Sequence, residues 1–174
     1  MPPVLTRDEL RDLNPEKIYN IQTFVLNYEL WPNIDPTLAA ILNAPIKIKF
    51  DTNIRNNLGA IRNKKGIYMF FVEPDFPFIP KVNYLMYVGR VISTNTFFRR
   101  FYDYVDGIGN KNIRRNIQLL TNLWEGKTWV YFYELSLPDT RIATIEANLY
   151  DNIVPPLNNQ FRSKRALNSR SIYN

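Results

Sequence analysis

Gly66-Ile67-Tyr68-Met69-Phe70-Phe71-Val72 and Tyr84-Leu85-Met86-Tyr87-Val88-Gly89 are the two runs whose reading decides the fold, and Pro74, Pro77 and Pro80 stand between them. Aromatic and branched side chains suit a pleated, half-buried surface, so each run reads as a strand. Proline fixes φ and donates no backbone hydrogen bond, so the middle stays irregular. The stretch therefore predicts two strands joined by a long connection. A third strand is predicted at Thr128-Trp129-Val130-Tyr131-Phe132-Tyr133-Glu134-Leu135, which ends at Pro138-Asp139. On the N-terminal side, Ile46-Lys47-Ile48-Lys49-Phe50 alternates apolar and charged residues as a strand with one wet face does.

Between these runs the apolar period changes to that of a helix. Ser93-Thr94-Asn95-Thr96 offers several N-caps for a helix over 97–105, in which Phe97, Phe101, Tyr104 and Val105 share one face. At 3.6 residues per turn Arg100 lies at the edge of that face, whereas Arg99 points nearly opposite. A second helix is predicted over 112–124, with Ile113, Ile117, Leu120 and Trp124 inward. Lys111, Arg114 and Arg115 crowd its start, where cations oppose the helix dipole. A compensating anion such as a phosphate backbone and a merely solvated face are equally good readings of that cluster. A third helix over 141–153 places Ile142, Ile145, Leu149 and Ile153 on one stripe.

Glu146 falls inside that stripe, within roughly 40° of Ile142 on the helical wheel. A buried carboxylate needs an answer, which a metal ion, an arginine or water can supply. A metal site and a structural ion pair both remain open from the pattern.

Residues 1–60 carry no catalytic signature. Thr6 and Glu9 fit a capping box with Leu10 and Leu13 as an apolar edge, and helical pieces are predicted over 18–30 and 36–42. This extension reads either as a recognition or dimerisation arm or as an extra layer on the sheet. The C-terminal tail, 161–174, turns basic through Arg162, Lys164, Arg165 and Arg170 and is expected to fray without a partner.

Composition narrows the chemistry. The 174 residues, 45% hydrophobic and 14% aromatic, are enough for one core with appended segments. No apolar run approaches the ~20 residues of a membrane span, and Met1-Pro2-Pro3-Val4 does not resemble a signal peptide, so a soluble cytoplasmic protein is expected. The chain has no cysteine and no histidine. Thiol nucleophiles, disulfides, the usual zinc ligand sets and histidine acid/base catalysis are thereby excluded. Tyr, Lys, Arg, Asp, Glu and hydroxyls remain. A net charge of +6 favours a polyanionic partner, of which nucleic acid is the commonest.

The tripeptides Gly66-Ile67-Tyr68 and Tyr87-Val88-Gly89 resemble the signature of the GIY-YIG nucleases. The resemblance runs from Gly66 to Asn158. Phe97-Phe98-Arg99-Arg100-Phe101 is similar to the family's arginine helix, with a spacing from the glycine longer by a couple of residues, which leaves Arg99 beside Arg100 as a candidate. Glu146 followed by Pro155-Pro156-Leu157-Asn158 is similar to the family's metal-binding glutamate and later asparagine. Arg90 stands where a lysine is often found.

That resemblance implies an α+β fold, a small central antiparallel sheet of three core strands flanked by helices, with residues 61–160 as the nuclease core. It also implies a divalent-metal-dependent endonuclease acting on DNA, or else RNA, with one Mg²⁺ or Mn²⁺ per site. The catalytic set would be Tyr68, Tyr87, Arg100, Glu146 and Asn158, with Glu146 as the metal ligand. Arg90, Arg99, Lys111, Arg114, Arg115, Arg162, Lys164 and Arg165 would contact nucleic acid. Tyr68 would act as general base or orient water, its hydroxyl acidified by nearby cations and the metal. The long connection between the tripeptides is closer to the restriction-enzyme branch than to the repair branch.

Two other readings compete. Pro74-Asp75 with Glu125-Gly126-Lys127 superficially matches the paired-carboxylate and lysine signature of many other restriction enzymes, but its Glu and Lys fall in a helix-to-strand turn. A nucleic-acid-binding module of the same fold without turnover is the second.

Overall fold

The computed structural model describes residues 29–75, 82–106, 117, 120 and 123–171. The helical segment expected at 6–13 and residues 18–28 of the one expected at 18–30 lie outside them, as do Lys111, Arg114 and Arg115, while Glu29 and Leu30 form a turn and not the end of a helix. The described chain is of the α+β class, with a four-stranded antiparallel sheet in the order β1-β4-β2-β3. Its strands are β1 (Ile46–Lys49), β2 (Gly66–Val72), β3 (Tyr84–Val91) and β4 (Thr128–Glu134). The three strands of the predicted core thus form a contiguous unit, and the fourth is the alternating lysine strand of the N-terminal extension.

Side-chain alternation along β2 decides what each face holds. Tyr68 and Phe70 point to one face with Val130 and Phe132 of β4, while Ile67 and Met69 point to the other. The first face carries α3 (Phe97–Asp106), which buries Phe97, Phe101, Tyr104 and Val105, together with α2 (Ile54–Asn57) through Ile54. Ile117 and Leu120, from the second predicted helix, are buried in the same core. The opposite face carries α4 (Asp139–Ile153) through Ile142, Ile145 and Leu149, and α1 (Leu38–Ile41) through Leu38. The N-terminal extension thereby contributes to both cores, Ile48, Phe50, Ile54 and Leu58 to one and Leu38 to the other.

Two glycines make the central strands possible. Gly66 has φ +149°, and a Cβ there would lie 2.0 Å from the Tyr133 carbonyl oxygen of β4, so no other residue fits. Gly89 sits opposite Tyr68, and a Cβ on it would lie 2.4 Å from the Tyr68 ring.

Local chemistry sets the helix ends. Thr96 starts α3, its hydroxyl accepting from the Arg99 amide at 3.2 Å. Asp139, in the first turn of α4, accepts from the Ser93 amide and hydroxyl and from Lys65 Nζ at 2.8–3.1 Å, tying the helix to the chain leaving β3. At the other end of α4, Val154 takes a left-handed conformation with φ 53° before Pro155. That conformation is costly for a β-branched residue, and burial of the side chain with Leu30 and Ala166 holds it there.

The turn so made sends the chain back along β3. The Leu157 amide donates to the Met86 carbonyl, and Asn158 accepts from the Val88 amide and donates to the Val88 carbonyl, both at 2.8 Å. The outer edge of β3 is covered by this segment. Where the tail is described, Lys164–Ser171 forms a helix, α5, which Ser163 caps and which buries Ala166 fully. No helix among the described residues is long and apolar enough to cross a membrane.

Candidate active site around the edge of β3

β3 is an edge strand, so residues from both faces of the sheet meet around it. Tyr68 and Tyr87 come from the face that bears α3, and Arg90, which pairs with Ile67, comes from the face that bears α4. α3 adds Arg100 and α4 adds Glu146. The segment after Asn158 closes the space. The result is a cleft of about 770 Å³, lined by Tyr68, Tyr87, Arg100, Glu146 and Asn158, with Arg90 and Arg162 at its walls. All five residues of the expected catalytic set therefore share one cavity.

Tyr68 is almost wholly buried, and its hydroxyl lies 2.7 Å from that of Tyr104. Burial pushes the Tyr68 phenol well above its ordinary value of 10.0, and the nearby Tyr104 and Tyr87 add to the rise while Arg100 opposes it. The protein's own groups therefore do not acidify Tyr68, and the expected acidification would have to come from the metal. Desolvation of a phenolate outweighs the pull of Arg100. Tyr87 lies next to Tyr68, with ring centroids 6.2 Å apart.

Arg100 and Arg99 differ as their helix positions require. Arg99 is exposed, whereas Arg100 is half-buried and turned into the cleft. Its Nε is buried with no hydrogen-bond partner among the described residues. No carboxylate pairs with its guanidinium there either, although arginines are rarely buried without a partner.

Glu146 has an answer: Arg90 Nη1 donates to its Oε2. Its side chain is only 14% exposed, and burial raises its pKa above the ordinary 4.5 even though Arg90, Arg162 and Arg100 all pull it down. Within the described residues no cluster of three or more acidic side chains could cage a cation. The oxygen groups around the cleft, one carboxylate with tyrosyl and amide oxygens, suit a hard divalent ion that keeps most of its waters. Such an ion would be held by Glu146.

Asn158 serves the backbone of β3 with both of its polar side-chain atoms. It fixes the rim from which Asn159, Gln160, Phe161 and Arg162 line the cleft. Lys164 and Arg165 are exposed on α5 and do not line it. The alternative restriction-type triplet lies at the far end of the sheet. Lys127 reaches Asp75 at 3.7 Å, but the Asp75 side chain is 92% exposed, and Glu125 sits in an exposed turn.

Tyr104, Tyr150 and the 159–161 rim are site residues that the sequence reading left out. Helix arithmetic could have found the first two, since Tyr104 lies one turn beyond Arg100 and Tyr150 one turn beyond Glu146. The rim carried no such signal. Among known proteins the chain matches no family model, no curated protein and no solved structure.

Proposed function

We propose that the protein is a divalent-metal-dependent endonuclease of the GIY-YIG type that hydrolyses phosphodiester bonds in DNA, acting in the cytoplasm, with restriction of foreign DNA as the finer reading. The observation that carries this reading is Arg100: a half-buried guanidinium, without a protein partner among the described residues, faces the same cleft as two tyrosines and a half-buried glutamate. A phosphate is the ligand that such a group fits best.

In this reading Arg100 pairs with a nonbridging oxygen of the scissile phosphate as charge builds there. Bound at Glu146, Mg²⁺ or Mn²⁺ would neutralise phosphate charge and stabilise the leaving oxygen. Water attacks phosphorus and gives up a proton to solvent water, while the bond to the leaving 3′ oxygen breaks and that oxygen takes a proton from solvent to leave as the 3′ hydroxyl. Tyr68 is neutral as the fold holds it. It orients water through its hydroxyl, with Tyr104 fixing the direction of that hydroxyl. Tyr87 borders the same space and orients phosphate or water. Asn158 acts at one remove by holding β3 and the rim together.

One observation favours a second reading, a nucleic-acid-binding module without turnover. Glu146 is already paired with Arg90, and the Tyr68 phenol is shifted away from ionisation. Incubation with supercoiled plasmid and Mg²⁺ separates the two. Discrete fragments support a restriction-type enzyme and nicking or smears a nonspecific one. Retardation without cleavage in Mg²⁺ and Mn²⁺ supports the binder. Affinity for duplex DNA should fall by roughly 0.9 log units per contacted phosphate per log unit of salt. Affinity that does not respond to salt removes both readings.

A further inference from the structure

Arg90 is the hydrogen-bonded partner of Glu146 among the described residues, and it is itself tied to nothing else there. The pair spans two elements, β3 and α4, and lies in the wall of the cleft rather than in a core. The Glu146 side chain is 14% exposed and that of Arg90 32% exposed. The carboxylate is therefore nearly fixed, while the guanidinium has room to leave.

We infer that Arg90 is a resident cation at the metal position, exchanging between Glu146 and substrate phosphate, so that a divalent ion gains full access to Glu146 only when an anion receives Arg90. The inference rests on the nuclease reading and concerns the order in which that site is filled. A dication and a guanidinium repel each other, so Arg90 on Oε2 weakens the hold of the Glu146 carboxylate on a divalent ion. Among the described residues that line the cleft Glu146 is the one carboxylate, and Arg100 and Arg162 are further cations, so a displaced Arg90 finds no second carboxylate there. A phosphate diester supplies the missing acceptor, and the guanidinium fork fits phosphate as well as carboxylate. Metal and nucleic acid then bind with positive coupling, which is reciprocal.

The consequence is protective. A protein without nucleic acid holds little metal, and the site is assembled only around its substrate. Arg90 is thus a positioning residue for the metal as well as a phosphate contact.

Mn²⁺ binding to the folded full chain, followed by calorimetry or electron paramagnetic resonance, tests this with and without a phosphorothioate-linked duplex that resists cleavage. For wild type, the duplex should tighten Mn²⁺ binding. Arg90→Gln should tighten Mn²⁺ binding to the free protein by about tenfold, within the usual range for coupled sites, and should shrink the effect of the duplex. Arg90→Lys keeps the charge with a weaker hold on the carboxylate and should fall between the two, so it carries the test should the glutamine variant misfold. Glu146→Gln should abolish the site in every background. If Arg90→Gln or Arg90→Lys binds Mn²⁺ no more tightly than wild type in a Glu146-dependent manner, the exchange is overturned and the nuclease reading stands. If wild type binds no Mn²⁺ even with duplex, the metal reading fails and the exchange with it.

Discussion

The ring of Tyr68 lies directly on Gly89, in the space that a Cβ at position 89 would fill at 2.4 Å. The tyrosine ending the first tripeptide and the glycine ending the second are cross-strand partners, so one side chain's place depends on the other's absence. Gly89 has no positive φ to accommodate, and its requirement is one of space alone. Gly89→Ala should therefore overpack the site, cost about 1–3 kcal/mol and displace the Tyr68 hydroxyl from Tyr104. Thermal melting reads the first effect, and loss of plasmid cleavage the second. An alanine variant as stable and active as wild type would show that the ring is not held as described.

Glu146→Gln separates a site from a strut. Its carboxyl is held above the ordinary 4.5 because desolvation exceeds the pull of its arginines. A carboxyl raised in this way contributes stability that is fully present below pH 4.5 and is lost as pH rises through its folded value. At neutral pH the charged group is a burden in the absence of metal. The variant should melt as high as wild type or higher at neutral pH, with the difference vanishing under acid conditions, and should not cut DNA. Arg90, a third exposed, can turn to water. A loss of roughly 3 kcal/mol or more would instead mark the pair as a structural anchor.

Tyr68→Phe bears on alkaline stability. The phenol's folded pKa lies well above 10.0, so its contribution is complete below pH 10 and is lost as pH rises through the folded value. Melting curves of wild type should fall more steeply above pH 10 than those of the variant. Near neutrality the two should differ by only about 1 kcal/mol, the worth of one hydrogen bond. Cleavage should disappear.

Arg100 and Arg99 are neighbours with different surroundings, which makes them each other's control. Arg100→Ala removes a guanidinium that pairs with no described carboxylate, so stability should hold while cleavage falls by about 10²–10³, as for other transition-state donors. Arg99→Ala should weaken binding modestly and spare the rate of the chemical step. Single-turnover cleavage at saturating protein distinguishes them, and the opposite pattern would move the catalytic arginine by one residue.

The contrast between these neighbours was legible in the sequence, because helical periodicity fixes which way a side chain points. The same holds for the strands around Tyr68 and Phe132 and for the apolar stripe of 142, 145 and 149, where local composition and burial agree. The Arg90–Glu146 pair was not legible. The residues are 56 apart, and only the packing of α4 on β3 brings them together. Acidification of Tyr68 was expected from cations and a metal, but how far burial opposes it depends on Phe101 and Tyr104, which reach the phenol across the α3 interface. The return of 155–162 along β3 depends on a left-handed valine that no residue preference would predict.

That return segment has a consequence for the protein's behaviour in a crowded solution. An uncovered edge strand is a template for adding foreign strands. β1 meets this at one margin of the sheet by being four residues long with Lys47 and Lys49 on it. β3 at the other margin is eight residues long and mostly apolar, and it is guarded by Leu157 and the Asn158 amide. Asn158→Ala withdraws the two bonds that hold this guard at Val88. The variant should show concentration-dependent self-association by light scattering before it unfolds, a failure of solubility arising from the same strand that carries Tyr87 and Arg90 into the cleft.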